Sequence, residues 1–237
     1  MFKSLLHIIK DFYMTYDLPI NNHSSLISPD IYNYQFSSDQ PLQIGIMASG
    51  NGSNFEVIAQ AIADGKINAK IQVLIYNNPD AKAAIRAEKW GVESVLLNHR
   101  DYKSREKFDS KIVQILQQYD VKFVIMAGWM RLVTQVLIDA FPQRMINIHP
   151  SLLPSFKGVQ AVEQALAARV KITGCTVHLV SLEVDSGEIL MQAAVPVFPE
   201  DTPETLHARI QVQEHRILPM AITLLDPTFC TQPYYNH

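Results

Sequence analysis

The sequence predicts a doubly wound α/β fold: a mostly parallel, Rossmann-like sheet with antiparallel strands in its C-terminal third. Three observations predict it. From Leu42 to Phe141, short apolar runs alternate with segments of helical period, the pattern of βαβ units and a parallel sheet. A glycine-rich turn, SGNGSN at 49–54, joins the first apolar run to the first helical one. After Gly174 two apolar runs flank a short turn and read as an antiparallel pair.

The elements follow in order. Residues 42–48 form a buried strand, and Phe55, Ile58, Ala59 and Ile62 then recur at the spacing of one helix face. The apolar run 71–76 is a second strand, followed by an alanine-rich helix ending near Trp90 and Gly91. Residues 95–97 are a short strand, 104–118 a charged helix and 123–127 the next strand. Residues 145–149 are a further strand, and a helix is expected at about 159–168. Residues 174–180 and 188–197 form the antiparallel pair. Thr202, Pro203 and Glu204 supply a hydroxyl cap, a proline in the first turn and an acid near the helix N-terminus.

Residues 1–41 differ from the rest, being rich in Tyr, Asn and Ser without a single period. They read as an N-terminal extension, 42–225 as the domain and 226–237 as a tail. Lys3, His7, Lys10 and Asp11 interrupt any signal-peptide core, so a cytoplasmic protein is expected. The chain has 237 residues, 48% hydrophobic and 18% charged, enough to bury a sizeable core. A net charge of −3 gives no basic surplus for nucleic acid, and no charge block points to a membrane. Two cysteines, Cys175 and Cys230, are too few for a disulfide framework or a thiolate metal site. We expect no metal, and a monomer or homodimer.

In the strand at 145–149, Asn147 reads as a turn cap and His149 as a packed or solvated loop residue, or the two carry chemistry; the Pro-bracketed loop that follows and the acidic turn downstream favour chemistry. Side chains alternate, so Ile146 and Ile148 share one face and Asn147 and His149 the other. Those two polar groups span only about 6.6 Å. An amide and a protonated imidazole side by side suit a reaction in which negative charge develops on a carbonyl oxygen. Ligands of such sheets collect at strand carboxyl ends, where the 49–54 loop, residues 128–131 and Asn147/His149 all fall. The 49–54 loop brings backbone N–H groups to a helix start and suits a phosphate. It fits neither a dinucleotide fingerprint nor a Walker loop, so a monophosphate is the better match.

Asp185 sits in the turn between the last strands, where Asp commonly caps its own backbone. If it reaches His149, it favours the charged, donating imidazole and can relay a proton. In the terminal helix Leu206, Ile210, Ile217 and Ala221 form an apolar stripe, and Glu214 falls on it. A carboxylate there needs a partner: His215, Arg209 or water at the stripe's edge, or the hydroxyls of a ligand. Arg105 and Arg131 are either surface arginines or partners for an acidic ligand.

The segments SGNGSN at 49–54, AGWMR at 127–131, INIHPSLLPSFKG at 146–158, GCTVHLVSLEVDSG at 174–187 and QVQEH at 211–215 resemble, in order and spacing, the folate-dependent glycinamide ribonucleotide formyltransferases. The resemblance covers nearly all of the chain beyond the extension. It implies the formyltransferase fold and transfer of a formyl group from 10-formyltetrahydrofolate, as co-substrate, to the amine of glycinamide ribonucleotide in purine biosynthesis. It implies catalytic roles for Asn147, His149 and Asp185. It puts the ribonucleotide on Gly52, Ser53, Asn54, Phe55, Glu56 and Glu214. Folate falls on Arg105, Met130, Arg131, Leu132, Val133, Asn147 and on Ser181, Leu182, Glu183, Val184 and Asp185. His178 matches a strand His lining the site. The chain departs from the family at Val159, Gln160, Ala161 and Val162, where a His-containing segment is usual, and no ligand contact is assigned there.

Alternatives are distinguishable. A formyltetrahydrofolate hydrolase uses similar catalytic residues with water as acceptor, but would carry an N-terminal regulatory domain larger than forty residues. A methionyl-tRNA formyltransferase shares the Asn-x-His and Ser-Leu-Leu-Pro elements but would add a basic, RNA-binding C-terminal domain. A nucleotide-sensing module without chemistry would have no need to keep Asn147, His149 and Asp185 together.

Overall fold

The computed structural model describes residues 26–29, 31 and 40–226. In chain order the elements are β1 (Ile27–Ser28), β2 (Leu42–Ala48), α1 (Ser53–Ala63), β3 (Ala69–Tyr76), α2 (Ala83–Lys89), β4 (Ser94–Leu96), a 3-10 turn (His99–Asp101) and α3 (Arg105–Gln118). Then come β5 (Phe123–Met126), α4 (Gln135–Ala140), β6 (Met145–His149), α5 (Ala161–Ala167), β7 (Ile172–Leu179), β8 (Ile189–Pro196) and α6 (Pro203–Thr223).

Among the described residues eight strands form one sheet in the order β1-β8-β7-β6-β5-β2-β3-β4. Strands β2 to β6 run parallel, whereas β7 is antiparallel to β6, β8 to β7 and β1 to β8. The fold is therefore the mostly parallel sheet with a C-terminal antiparallel part that the sequence predicts. From β2 the chain moves outward through β3 and β4, then returns to β5 on the other side of β2. That reversal opens a crevice at the carboxyl ends of β2 and β5, the place where open α/β sheets bind ligands.

Strand alternation divides the core in two. Ile44, Ile46, Ile125, Ile146 and Ile148 pack on one face with Phe55 and Ile58 of α1 and with Leu206, Ile210 and Ile217 of α6. Met47, Val124, Met126 and Met145 pack on the other with Phe108, Ile112 and Leu116 of α3. Helix α3 buries these residues because they recur at its 3.6-residue period, and the Ser104 hydroxyl caps it by accepting from the Lys107 N–H at 3.3 Å. Helix α6 opens with a capping box between Thr202 and Thr205, with Pro203 in its first turn.

The structure differs from the sequence reading in places. Part of the segment expected to lie outside the domain is built into it. Ile27 and Ser28 pair with Ala193 and Gln192 as an edge strand, and Ile27 and Ile31 pack against the core. A two-residue strand has no period of its own to read; only the β8 edge defines it. Residues 1–25, 30 and 32–39 of the expected extension, and 227–237 of the expected tail, lie outside the described residues. The short helix α4 goes beyond the elements the sequence predicts, and α1 starts at Ser53, within the glycine-rich loop.

Candidate active site

The glycine-rich loop turns directly into α1. Gly52 holds the left-handed conformation, φ 72°, and a Cβ there would stand 2.7 Å from the Ala83 Cα of α2. Only glycine meets both demands. The next residues supply the free N–H groups of the first turn. Asn54, 8% exposed, donates from Nδ2 to Glu214 Oε2 at 3.2 Å, and Ser53 Oγ accepts from Gln211 Nε2 at 3.2 Å. Glu214 is thus the partnered acid on the α6 stripe, 5% exposed. Burial pushes its carboxyl up from its ordinary value, and the Asn54 bond only partly offsets that.

Beside this loop, the Ser49 N–H donates to the Gly128 carbonyl at 3.0 Å and the Met130 N–H to Ser49 Oγ at 2.9 Å. The turns after β2 and β5 are therefore tied together across the switch point. Met130 and Leu132 project into solvent there, 84% and 54% exposed, and Leu182 and Val184 are exposed in the turn after β7. Exposed apolar side chains at a crevice suit a flat aromatic ligand. Val133 packs on the α3 core, and the Arg131 guanidinium lies 5.4 Å from the Phe108 ring centroid.

At the end of β6, Asn147 and His149 point to the same face, as the alternation predicts. The β6–β7 register puts His178 opposite Asn147 and Thr176 opposite His149. His149, 6% exposed, lies between two acceptors: Nε2 is 2.8 Å from the Phe156 carbonyl and Nδ1 is 3.3 Å from Asp185 Oδ2. Asp185 adopts a left-handed φ of 49° in the turn after β7. Gly187 follows it because a Cβ there would strike the Leu179 carbonyl at 1.7 Å. The Asp185 carboxylate accepts the Gly158 N–H at 2.8 Å, and its Oδ1 lies 3.5 Å from His178 Nε2. Burial pushes the Asp185 carboxyl up, but the His178 contact, the Gly158 N–H and the His149 charge together hold it below its ordinary value.

The loop beyond His149 is pinned from β7 and β8. Thr176 Oγ1 donates to the Ser151 carbonyl at 2.7 Å and accepts the Leu153 N–H at 3.1 Å. Gln192 Nε2 donates to the Leu153 carbonyl at 2.9 Å. The sequence reading assigns no role to these groups or to Phe156 and Gly158. Thr176 and Gln192 carry a signal, since each alternates with buried apolar neighbours. The Phe156 carbonyl and Gly158 N–H carry none, because backbone groups have no residue signature.

The structure thus joins Asn147, His149, His178 and Asp185 in one contact group, and Asn54 with Glu214 in another. Two expected ribonucleotide residues are turned elsewhere. The Phe55 side chain is wholly buried in the core, so only its backbone N–H can face a ligand. The Glu56 carboxylate is taken by Arg86 Nη1 at 2.9 Å, Lys89 Nζ at 2.7 Å and Trp90 Nε1 at 3.1 Å. The Lys89 and Arg86 contacts hold its pKa down to about 2. Arg105 is exposed in the first turn of α3 and, among the described residues, joins neither group. Ser181 Oγ donates to the Glu183 carbonyl at 2.9 Å, which shapes the turn leading to Asp185.

Residues 42–222 match the formyl transferase family. The trifunctional purine biosynthetic protein adenosine-3 of Homo sapiens is 38% identical over 204 residues, 86% of this chain but only 20% of that protein. This chain thus spans about a fifth of the length of that longer relative. The phosphoribosylglycinamide formyltransferase of Bacillus subtilis is 38% identical over 183 residues, 77% of this chain and 94% of the relative. Among solved structures, glycinamide ribonucleotide transformylase 1 from Symbiobacterium toebii superposes with a TM-score of 0.78 at 43% identity, covering 81% of this chain and 92% of the other. The phosphoribosylglycinamide formyltransferase from Bacillus halodurans gives 0.76 at 39% identity, covering 82% and 100%. The chain belongs to the formyl transferase family, alongside the phosphoribosylglycinamide formyltransferases.

Proposed function

We propose that this protein transfers the formyl group of 10-formyltetrahydrofolate to the primary amine of glycinamide ribonucleotide, a step of purine biosynthesis. The observation that carries the reading is the His149–Asp185 contact beside Asn147 at the end of β6, next to a phosphate-type loop. The ribonucleotide lies with its phosphate on the N–H groups of Gly52, Ser53 and Asn54 and its ribose hydroxyls on Glu214. The folate lies along Met130, Arg131, Leu132 and Val133 and the 181–185 turn. The exposed apolar side chains of both segments support that side for a flat ring.

The formyl donor supplies the carbon to be transferred and departs through its N10 nitrogen. The amine forms the new C–N bond, the C–N10 bond breaks, and one proton passes from the amine to N10. Asn147 donates an N–H to the carbonyl oxygen as it gains negative charge. The Phe156 carbonyl engages His149 Nε2–H, so Nδ1–H of the charged ring, at the longer Asp185 contact, is the proton to share with that oxygen. Well-placed donors of this kind contribute about 3–4 kcal/mol each to the transition state. Asp185, held ionised, orients His149 through the Nδ1 contact and accepts the amine proton on its way to N10, directly or through water.

The test is an absorbance assay of 10-formyl folate deformylation with and without glycinamide ribonucleotide. Turnover that requires the ribonucleotide supports the transferase. Turnover without it indicates a hydrolase, and no turnover a binding module; either outcome overturns the proposal.

A further inference from the structure

Helix α2 belongs to neither ligand group, yet it grips the glycine-rich loop. The Ala83 N–H donates to the Gly50 carbonyl at 3.2 Å, and Arg86 Nε donates to the Asn51 carbonyl at 2.8 Å. These peptides are trans, so the C=O and N–H of each point in opposite directions. Drawing the Gly50 and Asn51 carbonyls towards α2 turns the Asn51 and Gly52 N–H groups away from it. With Gly52 left-handed and its carbonyl accepting the Glu56 N–H at 3.0 Å, the Asn51 and Gly52 N–H groups lead directly into the free N–H groups of the first turn of α1. That is the backbone arrangement that holds an anion.

We infer that Arg86 is a positioning residue for ribonucleotide phosphate binding: it fixes the Asn51–Gly52 peptide in the anion-binding orientation while Glu56 fixes Arg86. The guanidinium suits the task because Nε and Nη1 lie in one rigid plane, so a single side chain spans Asn51 and Glu56 Oε2, 2.9 Å away. Trp90 and Lys89 hold the other oxygen of Glu56. Glu56 therefore acts on the ribonucleotide through Arg86 and the loop, not by touching it. The inference rests on the phosphate-loop reading above.

The experiment compares two ligands, glycinamide ribonucleotide and its dephosphorylated riboside, on wild-type protein and on Arg86→Met and Arg86→Lys. In the wild type the phosphate should improve affinity; if it does not, the phosphate-loop reading itself fails. In Arg86→Met the ribonucleotide KM should rise about tenfold, the scale of one charge-assisted hydrogen bond. The riboside affinity, the folate KM and kcat should stay within about twofold. A wild type that favours the phosphate and an Arg86→Met that keeps the whole preference would overturn the inference alone. Arg86→Lys keeps the charge but loses the planar span, so it should resemble Arg86→Met. If lysine restores wild-type affinity, the residue acts by charge and not by positioning. Arg86→Lys also serves as the test should Arg86→Met fail to fold.

Discussion

Asn147 and His178 stand opposite each other across β6 and β7, with the Asn147 amide nitrogen 3.2 Å from His178 Nε2. His178 Nδ1 lies 2.8 Å from the Leu179 carbonyl, which can only accept, so Nδ1 bears a proton. In the neutral ring Nε2 is then an acceptor, and Asn147 donates to it. The strand register thereby decides which way the amide faces. Nε2 also lies 3.5 Å from Asp185 Oδ1, so when Nε2 carries a proton it donates to that carboxylate, the contact that helps to hold Asp185 ionised, and Asn147 is released.

His178→Leu should therefore lower kcat by about 10–100-fold through a misdirected amide, with both ligand affinities near wild type. His178→Gln, which can still accept from Asn147, should recover part of the loss. Steady-state kinetics on the two variants decide it. Equal damage from Leu and Gln would mean that the amide is not oriented by this contact.

His149→Ala and Asp185→Asn should each reduce kcat by about 10²–10⁴-fold while ligand binding persists, because their interactions strengthen mainly in the transition state. Asp185 also has a pH signature. Its folded pKa is lowered, so its contribution to stability is present above the ordinary value of 3.8 and is lost as pH falls through the folded value. Asp185→Asn should melt lower than wild type at pH 7, and the gap should close in strong acid. A gap that widens on acidification would contradict the assigned direction.

What the sequence revealed and what it hid follow from the kind of group involved. Asn147 and His149 were legible because strand alternation sets them on one face, and Glu214 because a lone acid interrupts an apolar helical stripe. Their partners were less so. That Asp185 reaches His149 depends on the turn after β7 and on a left-handed φ, and Asp in a turn commonly serves only its own backbone. Phe55 and Glu56 followed the loop in sequence, but helix geometry rotates Phe55 into the core and Glu56 towards α2. Sequence adjacency to a binding loop says little once the chain has begun to turn at 100° per residue.

Glu214 exposes a conflict between stability and binding. Burial raises its folded pKa above the ordinary 4.5. The folded protein thus prefers the neutral acid, and the ionised form costs stability that grows as pH rises between the ordinary and the raised value. Glu214→Gln removes that cost and keeps an acceptor for Asn54. It should raise stability at pH 8 by about 1 kcal/mol and make no difference near pH 4. Ribonucleotide affinity should fall about tenfold for want of a charged acceptor. Thermal melts at both pH values, with ribonucleotide titrations, test both halves. A variant that is less stable at pH 8 would show the carboxylate to be well compensated in the fold.

The edge strand makes a prediction about the N-terminal segment. Strand β1 covers β8, with the Ala194 N–H donating to the Leu26 carbonyl at 2.9 Å, and Ile27 and Ile31 add apolar contacts. An uncovered β8 would present unpaired backbone groups, a template for another chain. Removal of residues 1–25 spares these contacts, whereas removal of 1–31 deletes them all. The longer truncation should lose about 1–3 kcal/mol relative to the shorter, from buried apolar surface and edge hydrogen bonds, and should self-associate at high concentration. Its kcat should match that of the shorter form, because the catalytic contacts come from β6, β7 and the turns after them. Melting curves, light scattering and steady-state rates on the two forms separate these effects. Equal melting temperatures would show that β1 contributes nothing to the sheet, and a selective loss of kcat would mean that the edge strand reaches the site through β8.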